Sequence, residues 1–163
     1  MLNELRTLFR RDLEGVRTQL ESYPDDSAPW AHVAGCPNPG GTLVLHVVGN
    51  LRHFVGAGIG GSGYVRERDA EFATRGLPRR ELLALIDSAI REVDDALAGL
   101  DAGALERPAT LPTGAEVTTT QWLLHLLTHL TFHLGQLDYH RRAATGDATS
   151  AGPLSLRALE GRP

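Results

Sequence analysis

The sequence has one cysteine, Cys36, so no disulfide can close within the chain. That suits a reducing compartment. Cys36 sits in Gly35-Cys36-Pro37-Asn38-Pro39-Gly40-Gly41, where no partner motif for redox or nucleophilic chemistry accompanies it. It reads as a half-buried loop residue. Long hydrophobic runs are also missing. Nothing approaches the roughly 20 apolar residues that a membrane span requires. Met1-Leu2-Asn3-Glu4-Leu5-Arg6 places charges where a signal peptide has its apolar core, so a cytoplasmic location is expected. Basic excess is absent as well, with a net charge of −4. Nucleic-acid binders usually carry a basic face, so that class loses ground, as does a strongly anionic membrane surface.

What remains is an ordinary globular composition, 42% apolar and 22% charged over 163 residues. One domain over 1–163 is expected, long enough to bury a core without cross-links. Four segments read as helices. The first runs from about Leu2 to Tyr23, with Leu2, Leu5, Phe9, Leu13, Val16 and Leu20 on one stripe. The second starts near Thr42 as N-cap and runs to about Val55. Its core, Leu43 to Leu51, is apolar nearly all round, and its valines make a strand the competing reading. The helical spacing of His46, Asn50 and Phe54 favours helix. The third opens at Pro78 and runs to about Leu100. The fourth has Thr118 as N-cap with Gln121 three residues on, a capping-box pattern, and ends near Arg141-Arg142-Ala143.

The glycine-rich segment Gly56 to Gly63 and the charged stretch Tyr64 to Phe72 read as one long ordered connection, and Asp101 to Val117 as another. The tail from Thr149 to Pro163 reads as one short extra helix or a frayed end. Four such helices without strand alternation predict an all-α four-helix bundle.

Three of the seven histidines, His125, His129 and His133, fall at four-residue steps in the fourth helix. Each step turns a helix by about 40° and rises about 6 Å, so the three share one face. The other positions of this helix are largely leucine, so most of it is expected to be buried. A buried imidazole without a partner costs about 1–3 kcal/mol. Two histidines four apart can bind one metal ion. A third ligand would come from a facing helix, and His46 in the apolar second helix is the best candidate. Three neutral imidazoles with open positions suit Zn²⁺, Ni²⁺, Fe²⁺ or Cu²⁺. The competing reading is a hydrogen-bonded set of core histidines. Leu130 occupies the place where a zincin helix carries its general-base Glu, so a metalloprotease is disfavoured.

These residues resemble the DinB/YfiT-like family. Its last long helix carries a His-x-x-x-His pair running into Gly-Gln, matched here by His129, His133, Gly135 and Gln136. Its second-helix ligand corresponds to His46, in Leu45-His46-Val47-Val48-Gly49-Asn50-Leu51-Arg52. The segments Gly49 to Arg52, Ile59-Gly60-Gly61, Arg66, Arg68-Asp69 and Glu71-Phe72 look like one subgroup. The likeness spans about Leu2 to Arg142. It implies an up-down-down-up four-helix bundle, a divalent metal (Zn or Ni foremost) on His46, His129 and His133, and a homodimer.

His125 departs from the family motif and is assigned to the pocket wall or to contacts behind the ligands. His53 shares the face of His46 and could line the pocket or replace it. His32 and His140 read as surface or helix-end residues. Gln136 is placed to hold a water or the second ring nitrogen of a ligand. Arg52, Arg66, Arg68, Asp69 and Glu71 read either as salt bridges pinning a solvated loop or as an anion clamp beside the metal.

Some relatives are thiol-dependent S-transferases or isomerases that use a low-molecular-weight thiol such as bacillithiol or mycothiol. The resemblance therefore implies a small-molecule substrate and a thiol co-substrate, with the arginine cluster orienting its carboxylates. A metal-dependent hydrolase and a non-catalytic metal-binding stress-response protein are the alternatives. No catalytic residue is named by the sequence.

Overall fold

The computed structural model describes residues 1–152, 154 and 156–160. Five α-helices account for most of it: α1 (Leu2–Glu21), α2 (Gly40–Leu51), α3 (Arg68–Ala73), α4 (Arg79–Ala98) and α5 (Thr119–Thr145). α1 packs against α4 and α5, and α2 packs against the same two. The chain is thus predominantly helical, in line with the all-α expectation. No helix among the described residues is long and apolar enough to cross a membrane.

The apolar stripes explain the arrangement. Leu5, Phe9, Leu13, Val16 and Leu20 of α1 are all buried, as are Leu82, Ile86, Val93 and Leu97 of α4. They meet Val44, Val47, Val48 and Leu51 of α2 and Leu123, Leu126, Leu130, Leu134 and Leu137 of α5. Between α1 and α5 the contact is partly polar. Buried Asp12 accepts from the Thr131 hydroxyl at 2.5 Å and from its neighbour Arg11 at 2.7 Å. Buried Gln19 donates to Asp138 and accepts from Arg141, whose guanidinium reaches on to the Thr149 carbonyl. These bonds satisfy groups that would each cost free energy if buried alone. α5 closes as its sequence signals dictate. Thr118 and Gln121 form a reciprocal capping box, and Gly146 ends the helix in the left-handed conformation at φ 71°.

Several expectations need correction. α2 opens at Gly40, two residues before Thr42, with Pro39 in the cap position. Thr42 is buried, and its hydroxyl has no partner. Gly40 and Gly41 read as loop, but they are points of close approach. A Cβ on Gly41 would lie 2.6 Å from the Trp30 ring, and one on Gly40 would run into the Tyr23 hydroxyl. Beyond Leu51 the helix does not stop at the glycines. It widens into a π-helical segment over Arg52–Ala57. The charged connection contains α3, and the connection before α5 holds a two-stranded antiparallel hairpin, β1 (Pro108–Thr110) with β2 (Glu116–Thr118). Three residues per strand are too few to show alternation in sequence. In the tail, a 3-10 turn at Leu156–Glu160 packs against α1. Pro153, Ser155 and 161–163 lie outside the described residues.

α5 also leaves more apolar surface outside than its leucines suggest, with Leu124, Phe132 and Tyr139 exposed. His140, by contrast, is fully buried rather than a surface residue. Its Nε2–H donates to the Ala31 carbonyl at 3.0 Å, so Nδ1 must accept, and the Tyr23 hydroxyl donates to it at 2.7 Å. This chain of bonds ties the segment before α2 to the end of α5. Burial lowers the His140 pKa below its ordinary value.

Two outcomes are expected. Tyr23→Phe strands the His140 Nδ1 acceptor and costs about 1–3 kcal/mol in urea unfolding. A histidine whose folded pKa is depressed contributes stability that is complete above its unfolded pKa and is lost as pH falls. The urea midpoint of metal-free protein is therefore expected to drop as pH falls below about 6.5, and to drop less in His140→Gln.

Candidate metal centre

α2 and α5 meet with His46 facing His129 and His133. The Nε2 atoms of His46 and His129 are 3.4 Å apart, and those of His133 and His129 are 3.1 Å apart. The ring centroids of His46 and His133 are 5.0 Å apart. One nitrogen from each ring lies within 4.8 Å of the other two, a grouping suited to an ion.

For His46 and His133 the other ring nitrogen fixes the tautomer. Nδ1 of His46 lies 3.1 Å from Glu71 Oε2. Glu71 is buried and receives two bonds from Arg66, at 2.6 and 2.8 Å, so its oxygens act as acceptors and take a hydrogen bond from the His46 Nδ1–H. Nδ1 of His133 donates to Gln136 Oε1 at 2.7 Å. With both protons on Nδ1, the Nε2 atoms of His46 and His133 present lone pairs. They converge on a single His129 Nε2, which can donate to only one of them. His129 Nδ1 is buried with no partner. Three converging imidazoles with a bonding deficit are poorly explained as a closed hydrogen-bonded set. They fit a divalent ion, since nitrogens at Zn–N distances of about 2.0–2.1 Å in a tetrahedron stand about 3.3 Å apart.

Electrostatics point the same way. Burial is the main cause of a lowered pKa for His46 and His133. It also brings His129 down to about 4, helped by the positive charge that His133 and His46 would carry if protonated. All three rings are therefore neutral near pH 7, the state that binds metal.

The remaining site residues named from sequence are placed as follows. His125 is exposed and stacks on Trp122, with centroids 5.3 Å apart and planes 7° apart. Its ring lies 6.4 Å from that of His129, outside the converging set. His53 sits on the widened turn beside Phe54, also outside the set, and its Nδ1 is buried without a partner. Arg52 makes three bonds to Glu92, at 2.6 to 3.1 Å, and lies over the Tyr64 ring. Arg66 is committed to Glu71. Arg68 is exposed over Phe72, whose ring is 5.0 Å from His46. Arg52 and Arg66 are thus engaged by internal carboxylates, and the geometry favours pinning of the connection over an anion clamp.

The residue that sequence reasoning undervalued is Glu71, which was grouped with loop charges. Its signal was Gly49, a glycine inside an apolar helix, which often marks a close approach. A Cβ at Gly49 would run into Glu71 Oε1. The helix lacks a side chain there, and the carboxylate fills the space and reaches His46.

Glu71→Gln removes the charge that fixes the His46 tautomer. It is expected to weaken Zn²⁺ binding about 10–100-fold in competition with a chromogenic chelator. Gly49→Ala, which displaces the same carboxylate, is expected to act in the same direction. Unchanged affinity in both variants would remove Glu71 from the site.

A family model described as the DinB superfamily matches residues 8–137, a span that contains His46, Glu71, His129, His133 and Gln136. No curated protein and no solved structure matches the chain. The match covers most of the sequence, and the chain belongs to the DinB superfamily.

Proposed function

We propose that this protein binds one divalent transition metal, Zn²⁺ or Ni²⁺, through Nε2 of His46, His129 and His133, and that it catalyses transfer of a low-molecular-weight thiol to a small electrophile. The observation that carries the reading is the convergence of three neutral imidazole nitrogens, two of them with the opposite nitrogen anchored by Glu71 and Gln136. We further propose that α1, α2, α4 and α5 form the up-down-down-up four-helix bundle of this superfamily.

A divalent ion held by these residues supplies Lewis acidity that favours loss of a thiol proton at neutral pH. The protein's own groups do the rest. Glu71 and Arg66 keep the His46 proton on Nδ1, and Gln136 does so for His133, so both Nε2 atoms stay available. His125 lines the adjoining cavity, and in this reading it accepts the thiol proton. The hydrolase alternative needs a general base positioned to activate water. Glu71, in contact with His46, is tied to Arg66, and among the described residues no acidic one lines the adjoining cavity.

Elemental analysis of untagged protein is expected to give about one Zn²⁺ or Ni²⁺ per chain, and background levels in His46→Ala, His129→Ala and His133→Ala. The metal-loaded protein, assayed with a panel of low-molecular-weight thiols and 1-chloro-2,4-dinitrobenzene, is expected to form the thioether. That activity should fall to background in the same variants. Ester hydrolysis without thiol dependence would favour the hydrolase, and bound metal with no turnover would favour a binding protein.

A further inference from the structure

A cavity of about 460 Å³ opens beside the histidine triad, between the end of α2, the hairpin turn and the first half of α5. Its volume falls in the range of small-molecule sites, about 300–1,000 Å³. Phe54, Trp122, Leu126, Leu111, Pro112 and Val117 supply its apolar walls. Phe54 meets Trp122 edge-on, with centroids 5.1 Å apart and planes 79° apart, while His125 stacks flat on the same indole. Among the described residues, no arginine, aspartate or glutamate lines the space.

Two polar groups in the lining lack partners. Asn50 is 8% exposed, and its Oδ1 is buried without a hydrogen bond. His129, whose Nε2 joins the triad, has Nδ1 in the same condition. Buried polar atoms of this kind normally find partners, and a bound molecule can supply one. Asn50 sits one turn beyond His46 on α2 and lines the cavity together with His129, Phe54 and Trp122.

We infer that this cavity binds the organic body of the substrate, and that it selects an uncharged, flat, apolar group carrying an N–H or O–H donor. Phe54 and Trp122 are the walls that hold its plane. Asn50 Oδ1 accepts its hydrogen bond. In the metal-stripped protein a carboxylate on this part of the molecule finds no arginine partner here, because Arg52 and Arg66 are paired with Glu92 and Glu71 elsewhere. The inference gives the substrate class for the proposed metal site and rests on that reading for its catalytic meaning, but binding to the cavity does not require the metal.

The test uses metal-stripped and Zn²⁺-loaded full-length protein, with 2-naphthamide as the neutral flat probe and 2-naphthoate as its anionic counterpart, followed by ligand-detected NMR titration. The amide is expected to bind the metal-stripped form about tenfold more tightly than the carboxylate, the factor that one hydrogen bond of about 1.4 kcal/mol supplies, and to bind the Zn²⁺-loaded form with unchanged affinity, whereas the carboxylate gains there from the ion. Asn50→Leu should remove most of that preference, and Trp122→Ala should abolish amide binding. If Trp122→Ala loses the wild-type circular dichroism, Leu111→Asp, which puts a charge in the cavity, serves in its place. Equal affinity of the metal-stripped form for the two probes, no saturable amide binding, or binding indifferent to these variants would overturn the inference. Zn²⁺ uptake measured on the same samples separates the two readings. Metal without amide binding sinks the cavity alone, whereas amide binding without metal sinks the metal centre alone.

Discussion

Three half-buried imidazoles at one helix crossing set the terms for much of this structure. Partly shielded from solvent, His46, His129 and His133 resist protonation, His129 most clearly with its pKa pushed down to about 4. Neutral rings still need somewhere to direct their N–H groups and lone pairs. Glu71 and Gln136 take the two Nδ1 protons, which turns the Nε2 lone pairs inward. The deficit left at the centre, with three acceptor-capable nitrogens and an orphaned Nδ1 on His129, is what makes a cation the natural occupant.

That requirement propagates outward. A buried carboxylate is costly unless paired, so Glu71 recruits Arg66 in a two-pronged contact. Arg66 comes from the connection after the glycine-rich segment, and α3 carries Glu71 itself, so the site fixes a stretch that would otherwise be a solvated loop. Gly49 gives the carboxylate room against α2. All sixteen basic side chains are arginines, whose forks suit such pairings. Arg52 follows the same pattern with Glu92. Arg52 and Arg66 are thereby engaged by internal anions, and the walls of the adjoining cavity are left largely apolar.

The readability of the sequence followed the range of the forces involved. The apolar stripe of α1 and the capping box of α5 are local signals, and they hold in the structure. The start of α2 was misjudged because Gly40 and Gly41 serve distant partners, Tyr23 and Trp30, which a local reading cannot see. His140 looked like a helix-end residue for a similar reason: its burial depends on Ala31 and Tyr23, more than a hundred residues away. The histidine spacing on α5 was legible because four-residue steps define a face. The pairing with His46 needed either the fold or a family resemblance. Glu71 was hidden among charges that do sit at the surface, and the hairpin was too short to announce itself.

X-ray absorption at the Zn edge of stoichiometrically loaded protein reads the ligands of the ion itself. A three-histidine site gives a shell containing three imidazole nitrogens at about 2.0–2.1 Å, with the outer-ring scattering of histidine, and loss of one such ring in His129→Ala. A shell dominated by carboxylate or water oxygen, unchanged by that substitution, would place the ion elsewhere and leave the three histidines as a hydrogen-bonded core.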